Sequence, residues 1–159
     1  LAIIDQDGRF INVYDCPDSE HSIADLIFNI EYLYSASSLL AAIEKVHSMP
    51  KEGVTGAFKF GTNYGIWRGV LAAHKIPFVL VTPQKWRIGL ITKEDKRPGS
   101  KAKISCAAAA RLFPDAPLYG PRGGPKDGRA DVLMISLKSL LQHAQRRLHY
   151  CWIEARPQR

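Results

Sequence analysis

Three carboxylates stand out by type and position. Glu44 follows an aliphatic run inside Leu39 to Val46 (LLAAIEKV). An unpaired carboxylate buried in such a run would cost several kcal/mol, so Glu44 must lie at the mouth of its element or face a cation. The plain reading is a Glu emerging into solvent at a strand end. Asp127 and Asp131 are four residues apart at the start of a helical pattern. That spacing puts both on one helix face, one turn apart. Like charges there are mildly unfavourable unless a cation lies between them. Mg²⁺, which takes oxygen ligands and keeps several waters, would serve. The plain alternative makes Asp127 an N-cap and Asp131 a first-turn acid that suits the helix dipole. Three carboxylates at the mouths of a strand and a helix are parts of a two-metal phosphodiesterase. One metal activates a water and the other stabilises the leaving 3′ oxygen. Such a site needs roughly four carboxylates, and only three good ones are apparent.

Cations and aromatic rings are interleaved in the middle third of the chain. Lys59, Arg68, Lys85, Arg87, Lys93, Lys96, Arg97, Lys101 and Lys103 alternate with Phe60, Tyr64, Trp67 and Trp86. The mixture suits phosphate contacts plus stacking on bases or sugars. The plain reading is a solvated basic face with core aromatics, and Trp67 is read as core or interface. The segment Thr92 to Lys101 (TKEDKRPGSK) is polar, basic and broken by Pro-Gly, as a phosphate-contacting loop should be. Gly61, Gly65 and Gly69 form a smooth helical stripe. Each costs about 1 kcal/mol against alanine in a helix, so close backbone approach is the expected reason. Packing on the sheet or a partner helix is favoured over approach to a DNA backbone.

These residues need elements to position them. Leu1 to Asp5, the Asp7-Gly8 turn and Arg9 to Tyr14 read as an antiparallel hairpin. Ile23, Leu26, Ile27, Ile30 and Leu33 have helical spacing within Ser22 to Tyr34. Leu39 to Val46 and Ile76 to Val81 read as buried strands. Ser48 to Gly53 reads as a polar loop, and Val54 to His74 as a long helix. Gln84 to Leu90 reads as a short helix, and a further helix ends near Phe113. Asp115 to Lys126 is irregular, and Gly128 to Leu148 is the last helix. The expected architecture is α/β, with a hairpin and parallel strands in a mixed sheet flanked by helices. One domain is expected over residues 1–148, followed by a loose basic tail over 149–159.

Composition agrees with one such domain. The chain has 159 residues, 46% of them hydrophobic and 23% charged, which is enough to build a core. No apolar window is long enough to span a membrane. The 22 Lys and Arg exceed 15 acids for a net charge of +7, which favours a polyanionic partner, most often nucleic acid. Cys16, Cys106 and Cys151 form no CxxC pair, and the five histidines show no metal-ligand spacing. A reducing, cytoplasmic setting is the expected default.

The order of segments resembles the RuvC-like Holliday junction resolvases of the ribonuclease H-like fold, in the branch with phage, bacterial and plant chloroplast members. LAIIDQDGRFINVYDCP (1–17) is similar to the family's second and third strands. LLAAIEKVHSMP (39–50) is similar to the strand that carries its catalytic Glu. FKFGTNYGIWRGVLAAHKIPFVLVTPQKWR (58–87) resembles the helix, strand and VTPxxW segment that follow. ARLFP (110–114) and KDGRADVLMIS (126–136) resemble the closing part with its two acids. The resemblance covers about residues 1 to 141. It implies a homodimeric endonuclease that resolves four-way junctions by paired nicks, with two Mg²⁺ or Mn²⁺ per active site held by four acids. Glu44, Asp127 and Asp131 would be three of these. Phe60, Gly61 and Tyr64 fall at the junction-facing helix start, and Lys85 and Trp86 in the segment that approaches the DNA backbone. Lys59, Lys93, Lys96 and Lys101 join the DNA-binding set as neighbouring cations.

One family motif is absent. The resolvases begin with a central strand ending in a catalytic Asp, in a GIDPG-type sequence. Asp5 is set aside as that residue, because its Asp7-Gly8 turn and the spacing to Tyr14 fit the second and third strands better. The first central strand is therefore expected upstream of Leu1, and the chain by itself is expected to be inactive. Two other classes stay open: a non-catalytic nucleic-acid-binding module of the same fold, and another ribonuclease H-like nuclease or recombinase.

Overall fold

The computed structural model describes residues 1–45, 53–97 and 100–154, the side chains of 101 and 144–154 excepted. The chain divides into two compact units, Leu1–Asp15 with Gln84–Arg159, and Cys16–Pro83.

The first unit opens with the expected hairpin. Strands β1 (Ala2–Ile4) and β2 (Phe10–Val13) pair antiparallel, Ala2 opposite Val13, with a register shift between Ile3 and Ile4. Asp5 builds the turn: its Oδ1 accepts the backbone N–H of Asp7 at 2.9 Å and of Arg9 at 2.8 Å. Gly8 adopts φ +82°, and a Cβ there would also meet Leu137 Cδ1 at 3.2 Å. Glycine is therefore required at that position.

Helix α4 (Lys101–Leu112) starts at Ser100, whose Oγ accepts the Lys103 N–H at 3.4 Å. It packs on α5 (Asp127–Glu154). The buried residues of α4 are small: Ser105, Cys106, Ala108 and Ala109. Those of α5 include Ala130, Leu133 and Met134, spaced three and four apart. Small side chains on one helix let larger ones on the other seat closely. Asp115 to Lys126 is irregular as expected, closed by one bridge between Tyr119 and Pro125.

The second unit holds a parallel pair. α1 (Glu20–Tyr34) is capped by Ser19, whose Oγ accepts the Ser22 N–H at 3.1 Å. It buries Ile23, Ile27 and Ile30 and packs against α2 (Val54–Ala73). His74 Nδ1 and Glu31 Oε2, 2.6 Å apart, tie the end of α2 to α1. β3 (Ala41–Glu44) and β4 (Phe78–Val81) run parallel in register, from Ala41 opposite Phe78 to Glu44 opposite Val81. Joined through α2, they make a βαβ unit.

The hairpin and the parallel strands are thus both present, as two two-stranded sheets. The buried strands expected over 39–46 and 76–81 are shorter: all four β3 residues are intermediate, while around β4 Ile76 and Val81 are buried and Leu80 is exposed. Among the described residues each of these strands has one hydrogen-bonded neighbour, which leaves it less covered than a central strand. α5 continues past the expected end at Leu148. Val46, the 48–52 part of the polar loop and residues 155–159 of the tail lie outside the described residues.

Candidate functional site

Glu44 is the last residue of β3, half-buried, at the carboxyl end of a parallel strand pair. Open parallel sheets place ligands outside those ends, where side chains emerge from the backbone ladder. Asp127 and Asp131 open α5, the first exposed and the second half-buried. Asp127 is the first helical residue, and its Oδ1 accepts the Gly128 N–H at 3.1 Å. Helix geometry puts the two carboxylates one turn apart on one face. Both act on the same neighbour. Burial first, then the charges of Asp127 and Asp131, push the Cys106 thiol above its ordinary value.

A pair of carboxylate groups at a helix start fits a hard divalent cation by donor chemistry. Among the described residues, no group of three or more His, Cys, Asp or Glu is gathered closely enough to hold a metal ion. Glu44 belongs to the second unit, and Asp127 and Asp131 belong to the first. Asp5, set aside on sequence grounds, spends one carboxylate oxygen on its own turn.

The first turn of α5 is held by contacts that local sequence patterns do not show. Arg129 donates from Nε to Asp15 Oδ1 at 2.7 Å and from Nη2 to Asp15 Oδ2 at 2.8 Å. Its Nη1 donates to the Pro117 carbonyl at 3.0 Å. Lys126 Nζ lies 3.7 Å from Asp15 Oδ2. The hydrogen bonds from Arg129 are the main reason the Asp15 carboxyl is pulled down to about 2. Asp15 and Arg129 are 114 residues apart, so no periodicity could have paired them.

The expected nucleic-acid contacts divide by exposure. Lys59, Phe60 and Gly61 are exposed on α2, and Tyr64 is half-buried. The Arg68 guanidinium lies 5.3 Å from the centre of the Tyr64 ring and 5.9 Å from that of Phe78. Lys59 also lines a cleft of about 350 Å³ with Phe58, Asn63, Asp18 and Glu20. The two acids there oppose an anion, so the cleft side of Lys59 is unfavourable for a phosphate. Lys85 is exposed on α3 (Pro83–Arg87).

Trp86 corrects its sequence reading. It has no exposed surface and is a core residue, so it offers DNA no ring to touch. Gln84 and Lys85 turn outward beside it on the same short helix, which is why a segment expected near DNA carries a buried indole.

Lys93 and Lys96 are exposed on a turn over 93–97. Asp95, between them, is turned inward and is 5% exposed. Its Oδ2 accepts Arg111 Nη2 at 2.9 Å, the Thr92 N–H at 2.8 Å and Thr92 Oγ1 at 3.0 Å. Arg111 Nη2 also donates to the Leu90 carbonyl at 2.8 Å. Sequence reading treated this segment as a basic loop and missed the inward acid that shapes it. Pro98, Gly99 and the Lys101 side chain, expected to take part, lie outside the described residues.

The glycine stripe also departs from expectation. A Cβ built on Gly61, Gly65 or Gly69 meets nothing within 4 Å among the described residues. Only Leu71 is buried on the whole of α2. Among the described residues, then, no neighbour packs on the stripe.

No family model matches the chain, and no curated protein matches it. Solved structures do. The T. thermophilus RuvC in complex with a Holliday junction substrate aligns with a TM-score of 0.56 at 13% identity, over 86% of this chain and 81% of that one. A second Thermus thermophilus RuvC structure aligns with a TM-score of 0.53 at 15% identity, over 86% and 80%. The likeness is one of fold, and it is the ribonuclease H-like fold expected from the resemblance.

Proposed function

We propose that the chain is a metal-dependent, structure-selective DNA endonuclease that nicks four-way junctions. The carrying observation is the fold: it is shared over 86% of the chain with a RuvC that is seen on a Holliday junction substrate. Glu44, Asp127 and Asp131 are the residues that would hold Mg²⁺ or Mn²⁺. When bound, such ions supply a water of lowered pKa and stabilise the leaving 3′ oxygen.

The chain's own residues do the rest. Exposed Lys59, Lys85, Lys93 and Lys96 contact phosphates, Lys101 extends that series, and Phe60 offers an exposed ring for a base or sugar. Gly61, where a built Cβ meets nothing within 4 Å among the described residues, lets a backbone come close. Paired nicks need two active sites, which a homodimer supplies. The outer side of α1 carries Phe28 at 60%, Tyr32 at 84% and Leu33 at 67% exposure, an apolar surface suited to a second copy.

A second reading has an observation in its favour. Among the described residues no three metal-binding groups are gathered, as expected of a module that binds junctions without cutting them. Nicking of a synthetic four-way junction in Mg²⁺, by the protein expressed from its complete reading frame, separates the two. The endonuclease reading expects symmetric nicks, reduced at least 1000-fold by Glu44→Gln or Asp127→Asn, with junction binding in Ca²⁺ retained. Salt-sensitive junction binding with no cutting in Mg²⁺ or Mn²⁺ would hand the chain to the binding reading.

A further inference from the structure

We infer that the small hairpin over 118–126 is a contact element for branched DNA: Arg122 and Lys126 meet phosphates, and Tyr119 stacks on a base laid open at the branch point. The inference deepens the junction-binding part of the reading above, rests on that part alone, and needs no metal.

The run YGPRGGPK supplies a turn of fixed shape. The Gly123 N–H donates to the Gly120 carbonyl at 2.9 Å, which places Pro121 and Arg122 at the two corners. Pro121 presets the backbone of the first corner. Gly123 follows at φ +73°, and the Gly120 N–H donates to the Gly124 carbonyl at 2.8 Å. A turn followed by a left-handed glycine is a recurrent hairpin loop. Below it Tyr119 pairs with Pro125, and the Lys126 N–H donates to the Leu118 carbonyl at 2.8 Å. The base is anchored: Leu118 is 2% exposed, and Arg129 Nη1 donates to the Pro117 carbonyl at 3.0 Å.

What this frame holds out is cationic and aromatic. Arg122 stands exposed at the apex, and Tyr119 is 53% exposed on the strand that leads to it. Neither side chain has a hydrogen-bond or ion-pair partner among the described residues. A Cβ built on Gly120 would lie 3.7 Å from Lys126 Cε, so the Lys126 stem runs along the hairpin. Its ammonium lies 3.7 Å from Asp15 Oδ2, an oxygen that Arg129 already takes at 2.8 Å, so Lys126 is loosely held. No acid occurs between Tyr119 and Lys126. Two cations and an open ring fit a polyanion with stackable faces, which is the chemistry of nucleic acid. A loop shaped beforehand loses little freedom on binding. Bases within a duplex stack on one another, whereas those at a branch point can be reached. Arg122 and Lys126 therefore serve any DNA, and Tyr119 favours the branched form.

The test is equilibrium binding in EDTA, by the protein expressed from its complete reading frame, to a four-way junction and to a linear duplex of one arm's sequence. Tyr119→Ala should weaken junction binding about 10-fold and leave duplex binding within about 2-fold of wild type. Tyr119→Phe, which keeps the ring, should match wild type. Arg122→Ala should weaken binding to both DNAs and lower the slope of log affinity against log salt by about one. Both alanine variants should keep the wild-type thermal midpoint, because both side chains are exposed. Wild-type junction selectivity that Tyr119→Ala and Arg122→Ala leave untouched overturns the inference. So does an equal loss on junction and duplex in Tyr119→Ala. A wild-type chain with no preference for the junction overturns the junction reading itself, a result distinct from selectivity that the variants do not change.

Discussion

Asp95 shows what a single residue can do in a segment that looks merely basic. Its carboxylate is buried and takes hydrogen bonds from Arg111 and Thr92. The Arg111 guanidinium, then the Thr92 donors, hold it below the ordinary 3.8 against the opposing effect of burial. A carboxyl depressed on folding stabilises above its unfolded value, and that contribution is lost as pH falls through the folded value. Wild-type stability should therefore decline as pH drops below 3.8, while Asp95→Asn flattens that part of the profile. Arg111→Ala should cost about 2 kcal/mol at neutral pH, because it strands a buried charge whose partner is itself half-exposed. Chemical denaturation across pH 2 to 7 measures both, and a pH profile of Asp95→Asn that overlays wild type would refute the assignment. Glu44, Asp127 and Asp131 were legible in sequence as acids at element ends. The inward turn of Asp95 was not, because TKEDKR carries no periodic signal.

At the scale of elements, α2 is the anomaly. Twenty residues run from Val54 to Ala73 with one buried side chain. Among the described residues, nothing lies within 4 Å of a Cβ built on its three glycines. Gly65→Ala should therefore stabilise the protein by about 0.5–1 kcal/mol, through helix propensity alone. Gly8→Ala should do the opposite, since its φ is +82° and Leu137 lies 3.2 Å from the new Cβ. Thermal unfolding of the two variants checks both signs, and a destabilised Gly65→Ala would show that the stripe is covered after all. The element boundaries themselves were largely readable. α1 differs from its expected start by two residues, because Ser19 rather than a later residue caps it. β3 and β4 came out shorter than their apolar runs, since apolar content marks burial potential and pairing decides strand length.

At the scale of the whole molecule, a net charge of +7 meets an exposed apolar helix side. The charge is the general attraction for a polyanion, and its effect on binding falls with salt. The apolar side of α1 is what would specify a second copy. Tyr32→Glu combined with Leu33→Glu should give a monomer by sedimentation at concentrations where wild type is a dimer. The same variant should cut one strand of a junction without coordinating the second cut. A wild-type chain that sediments as a monomer with junction bound would remove the dimer from the proposal.

What the sequence determined by itself was local or periodic. The Asp7-Gly8 turn, the Ile23–Ile27–Ile30 stripe and the parallel-strand runs follow from short-range sterics and from burial of repeating apolar positions. The order of these segments was enough to anticipate the ribonuclease H-like fold later matched at 13–15% identity. Tertiary structure alone decided which like-looking residues turn inward. Trp86 and Lys85 are neighbours, yet one is fully buried and the other exposed. Asp15 and Arg129 meet across 114 residues. Such choices depend on which distant side chains complete a hydrogen-bond fork or fill a core, and contacts of that kind leave no period in the chain.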